Sequence, residues 1–154
     1  MTSYEIAKTI HILSATVLFG TGLGTAWFMW RANRSGEVAQ IAATARNVVL
    51  ADWLFTTPAV ILQPLSGLWL IDIVGYAPTE TWLLWTYGLY ALAGVCWLPV
   101  VRLQIRMRDL AEAAHAEGAS LPPAYRRLAR AWFWLGWPAF LAVVVIVHLM
   151  VAKP

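Results

Sequence analysis

Apolar residues gather in four long runs, roughly residues 6–30, 48–73, 82–101 and 131–151, with shorter stretches rich in Arg, Glu, Gly and Pro between them. Each run is near the ~20 residues that cross a bilayer as a helix. The pattern predicts an all-α integral membrane protein, a four-helix up-and-down bundle forming one domain over residues 1–154 with no soluble appendage. The first run reads as retained rather than cleaved. Glu5 and Lys8 precede it in place of a basic cluster, it is longer than a signal core, and the Ala43-Thr44-Ala45 triplet lies beyond a charged loop.

Within the runs, polar positions are few and ordered. On a 3.6-residue helix His11, Ser14, Leu18, Thr21 and Thr25 share one narrow arc, which should face the bundle interior. Gly20 and Gly24 lie on the opposite side with small-xxx-small spacing, suited to close packing against another helix or a second copy in a homodimer. The second run carries Pro58 and Pro64, each of which removes a backbone donor and predicts a kink whose freed carbonyl a neighbouring polar group must satisfy. Gln63 sits mid-membrane, where bridging helices is the plainer role and a substrate contact the alternative. Beyond the third run, residues 102–116 have helix-forming composition and should extend that helix, until Gly118 and the Pro122-Pro123 pair break it.

Composition agrees with the membrane reading: of 154 residues, 60% are hydrophobic and 12% charged, and the mean hydropathy is +0.64. Charge adds orientation. Arg31, Arg34 and Arg46 lie between runs one and two, and Arg102, Arg106, Arg108, Arg126, Arg127 and Arg130 between runs three and four, which is nine of the eleven basic residues on one side. Short cytoplasmic loops hold such an excess, so both termini are expected outside, in the periplasm of a bacterial cytoplasmic membrane. The net charge of +3 thus needs no nucleic-acid partner. The ten tryptophans cluster toward the run ends as aromatic belts, with Trp27, Trp30, Trp53, Trp97, Trp132, Trp134 and Trp137 inside and Trp69, Trp82 and Trp85 outside. Asp52 and Arg46 fall near the inner face, where solvent or lipid headgroups would satisfy them. Cys96 is the single cysteine and reads as a small apolar residue.

The candidate chemistry is histidine. His11 lies about five residues and His148 about three residues inside an outer run end, so at ~1.5 Å per residue they sit ~8 Å and ~5 Å deep, near one level. An ionisable residue inside a span is a functional hypothesis by default. Imidazoles on facing helices could share a haem b iron, while separate hydrogen bonds to neighbours such as Ser14 are the competing reading. A bare metal ion would want three or four ligands, which this layer does not offer beyond Asp72 or Met150. Asp72 could instead orient a histidine ring. His115, in the hydrophilic connection, reads as solvated.

Two resemblances add to this. The opening, Lys8-Thr9-Ile10-His11-Ile12-Leu13-Ser14 and then Phe19-Gly20-Thr21-Gly22, resembles HemJ-type protoporphyrinogen oxidases, as does the closing run from Val144 through His148 to Lys153-Pro154. The middle, Asp52-Trp53-Leu54-Phe55-Thr56-Thr57-Pro58 and Leu62-Gln63-Pro64-Leu65-Ser66-Gly67, is more similar to an uncharacterised family of predicted integral membrane proteins of DUF2269 type, and this second likeness covers most of the chain. Copper-resistance D type proteins share the four-helix idea. The HemJ resemblance implies His11 as haem ligand, with Lys8 at a basic position near it. His148, standing where that family's ending is simply apolar, would be a second ligand. Three functions follow as expectations: a b-type haem protein exchanging electrons with a quinone or partner protein, a porphyrinogen oxidase, or a non-catalytic scaffold or assembly subunit.

Overall fold

The computed structural model describes residues 2–153. Pro154, on which the terminal run closes, lies outside them. The chain runs as α1 (Ser3–Ser35), α2 (Val38–Ala51), a π-helical turn (Asp52–Thr56), α3 (Thr57–Val74), α4 (Thr81–Ala116) and α5 (Pro123–Ala152). Because α2, the π turn and α3 are continuous from Val38 to Val74, the described residues hold four helices long and apolar enough to cross a membrane. The all-α, four-span architecture predicted from the apolar runs is the architecture observed.

Local chemistry sets the ends. Thr2 and Glu5 form a reciprocal capping box at the start of α1, the Thr2 amide donating to Glu5 Oε2 at 2.8 Å and the Glu5 amide to Thr2 Oγ1 at 3.3 Å. Gly36 and Gly75 end α1 and α3 in the left-handed conformation, at φ 74° and 78°, which a side chain would strain. Residues 38–47, expected as part of a charged loop, are helical instead, and only Gly36 and Glu37 separate α1 from α2. The reason is amphipathicity: Ile41, Ala42, Ala45, Val48 and Val49 recur at helical spacing and are buried, while Arg46 points outward.

The packed core sits at the basic end, where the helices run on past the apolar stretches. Met29, Ala32, Ile41, Ala45, Met107 and Ala111 interlock there with Tyr125 and Trp132. Along the spans, large side chains such as Phe28, Leu54 and Trp134 stay exposed, as expected where lipid rather than water surrounds the helix. α4 and α5 form a long antiparallel hairpin, α1 packs on α3, and α2 packs on α4, while α1 and α5 meet only sparsely. Each end is tied. Tyr125 donates to Asn33 Oδ1 at 2.7 Å at the basic end, and Lys153 Nζ donates to Tyr76 Oη at 2.7 Å at the terminal end.

Of the two prolines of the second span, Pro64 shows the expected freed carbonyl satisfied by a polar neighbour. Pro58 enters α3 directly after the π turn, and Pro64 lies inside α3, where it cannot donate to the Val60 carbonyl four residues earlier. The Tyr90 hydroxyl of α4 donates to that carbonyl instead. The glycines of α1 differ from the expectation of a packed face within the bundle: a Cβ at Gly20 or Gly24 would meet nothing within 4 Å. The close approach occurs at Gly67 of α3, where a Cβ would lie 3.3 Å from His11 Cε1.

Candidate functional site

The polar arc predicted on α1 does face inward, with Ser14 buried and His11, Leu18, Thr21 and Thr25 half-buried. Its upper part meets α3 in two polar rungs. In the first, Ser14 Oγ hydrogen-bonds Gln63 Oε1, with the His11 carbonyl 3.1 Å from the same hydroxyl. In the second, His11 Nδ1 lies 2.9 Å from Ser66 Oγ, and Ser66 Oγ lies 2.6 Å from the Leu62 carbonyl. A serine hydroxyl has one hydrogen. Spent on Leu62, it leaves Ser66 to accept from the imidazole, an arrangement that favours the proton on Nδ1 and the lone pair on Nε2. Gly67, one residue on, gives the ring room to lie against α3.

Of the residues singled out from sequence, His11, Ser14 and Gln63 are therefore brought together, and Ser66 joins them. His148 and Lys8 are not members of this cluster: His148 is exposed on α5, and Lys8 is exposed on α1 with Nζ 5.3 Å from the Tyr4 ring centroid. Asp72 is exposed as well, and the role expected of it, orienting a histidine ring, belongs to Ser66. Among the described residues no three His, Cys, Asp or Glu side chains cluster as a metal site. His115 is exposed as expected.

A second feature was not read from the sequence. Between the helices lies a cavity of about 280 Å³ with almost wholly apolar walls, built from Leu18, Leu23 and Ala26 of α1, Val60 of α3, Trp97 of α4 and Phe133, Trp137 and Phe140 of α5, among others. Asp52, Gln104 and Trp132 line it too, and they are only 6%, 7% and 7% exposed. Each keeps one buried polar atom without a partner: Asp52 Oδ2, Gln104 Oε1 and Trp132 Nε1. Asp52, expected at the headgroups, instead projects from the π turn, with Oδ1 accepting from Thr56 Oγ1 at 2.8 Å. Trp132, expected as a belt anchor, is part of the packed core. The signal for Asp52 was available, since it stands four residues inside an apolar run with a threonine one turn later. Gln104 lies past its run and carried none.

The fold and its polar rungs define a four-span helical integral membrane protein whose interior polar groups face one another across the bundle. The chain belongs to the DUF2269 family of predicted integral membrane proteins, whose model matches residues 5–154. That match bears out the likeness carried by the middle of the chain and does not show one to HemJ-type or copper-resistance D proteins. No curated protein and no solved structure matches the chain.

Proposed function

We propose that this protein is a membrane b-type haem protein engaged in electron transfer, in which His11 would hold the haem through Nε2. The observation that supports it is the Ser66 contact. Histidines that bind a metal donate their other ring nitrogen to a fixed acceptor, which sets the tautomer and raises ligand basicity, and the rung at 2.9 Å does this for His11. A porphyrin needs only one or two side-chain ligands, and the remaining surface can be apolar. When bound, the haem supplies one-electron chemistry. The chain holds the imidazole, keeps Nε2 unprotonated, and surrounds the ring with the Gly67 backbone and the Ser14–Gln63 rung.

In this reading the basic end faces the cytoplasm, both termini face the periplasm, and electrons are exchanged with a membrane quinone or a redox protein. Contact between copies would use the open Gly20–Gly24 face. His148 is exposed on α5, so the reading rests on His11.

The same two rungs favour a second reading, a structural clamp between α1 and α3 in a non-catalytic subunit. Haemin titration of the purified protein separates them. The haem reading expects stoichiometric uptake with sharp reduced α and β bands, lost in His11→Ala, retained in His148→Ala, and weakened about 10–100-fold in Ser66→Ala. No uptake by the wild-type protein would leave the clamp.

A further inference from the structure

The central cavity is separate from the His11 cluster, and the inference drawn from it does not depend on haem. Its polar atoms state what an occupant must offer. Trp132 Nε1 can only donate, so it needs an acceptor. Gln104 Oε1 can only accept, so it needs a donor. Asp52 Oδ2 can accept, or donate when protonated. Leaving any one of these buried atoms unpaired costs about 1–3 kcal/mol of desolvation, and all three residues line one space.

A hydroxyl is the small group that accepts and donates through a single oxygen. A carbonyl cannot serve Gln104, and an ammonium cannot serve Trp132. The remaining walls favour a flat ring: Trp97, Phe133, Trp137 and Phe140 surround the space, and offset or edge-on aromatic contacts are suited to another ring. Among the described residues no Lys, Arg or His lines the cavity, so no cationic side chain there recognises an anion. The volume of about 280 Å³ is near the lower end of ligand sites, enough for one substituted ring. The seam between α1 and α5 is sparse, and Phe19 and Phe140 meet across it at 5.2 Å. The π turn that carries Asp52 is itself a feature frequent at functional sites.

We propose that this cavity binds a lipophilic phenol or hydroquinone, its hydroxyl held by Trp132, Gln104 and Asp52 and its ring among the aromatic side chains of α4 and α5. The test is equilibrium binding of tritiated 4-decylphenol and of its methyl ether to protein in lipid nanodiscs, with empty nanodiscs subtracted. The ether keeps the acceptor and loses the donor. The phenol should bind about tenfold tighter, one hydrogen bond's worth. Gln104→Leu should erase that preference, and Trp132→Phe should weaken both probes by about the same factor. Gly136→Leu fills the cavity from α5, where an added Cβ meets nothing within 4 Å, and should abolish binding while circular dichroism shows an unchanged helix content. Equal affinity for the two probes, binding that survives Gly136→Leu, or no binding above empty nanodiscs would each overturn the proposal; the last would mean that water alone satisfies the three atoms.

Discussion

At the scale of single residues, the molecule turns on which hydrogen each buried polar group can give. Ser66 is bonded to the Leu62 carbonyl and stands 2.9 Å from His11 Nδ1, an arrangement that favours the Nδ1-protonated tautomer. Replacing Ser66 with alanine removes that acceptor and should destabilise the α1–α3 pair by about 0.6–2 kcal/mol, the range for polar contacts between helices in membranes. Unfolding in mixed micelles, alongside Ser66→Thr as the conservative control, measures it. Gly67→Val should have a comparable effect by another route, since its Cβ would already stand 3.3 Å from His11 Cε1 and the branches would push the ring off α3. The nitrogen-15 shifts of the His11 ring would report that displacement as a change in the Nδ1-protonated fraction.

At the scale of elements, the second span is where sequence rules are broken and mended. Pro64 frees the Val60 carbonyl, and Tyr90 supplies the missing donor from α4. The two should be coupled. Tyr90→Phe is expected to cost about 1–3 kcal/mol in the wild-type background by leaving a buried carbonyl unpaired. It should cost close to nothing in Pro64→Ala, where the backbone amide of residue 64 can restore the helical bond. A double-mutant cycle on unfolding free energies measures this coupling directly, and equal costs in both backgrounds would refute it. The prolines were legible as breaks in the apolar run. That Tyr90 was the mender was not, because its partner is 30 residues away. The π turn was equally invisible, since an extra residue per turn leaves no mark in hydrophobic spacing.

At the scale of the whole molecule, stability and orientation divide between the two ends. The tight core lies where helices leave the apolar runs, so Ile41→Ala, at a residue 1% exposed, should cost about 2–5 kcal/mol. Leu54→Ala, at a residue 58% exposed to lipid, should fall within about 0.5 kcal/mol. Thermal unfolding in one detergent compares them. For orientation, single cysteines at Thr79 and Ala119 in a Cys96→Ser background should label oppositely. An impermeant maleimide is expected to reach residue 79 in intact bacterial cells and residue 119 only after permeabilisation, in keeping with the arginine bias. The reverse pattern would invert the topology.

The sequence by itself determined the number of spans, their approximate ends, the inward arc of α1 and the need for partners at Pro64 and Gln63. Those follow from local period and from the cost of polar backbone in lipid, which depend only on neighbouring residues. Only the tertiary structure decided which helices touch. His11 and His148 lie at similar depth by counting, yet α1 packs on α3 and meets α5 sparsely, and the imidazole of His11 lies against Ser66. The convergence of Asp52, Gln104 and Trp132 on one cavity was decided the same way. A helix repeats its own faces from its own sequence, but its azimuth and its neighbours are set by how all the spans fill space together, and no local pattern encodes that.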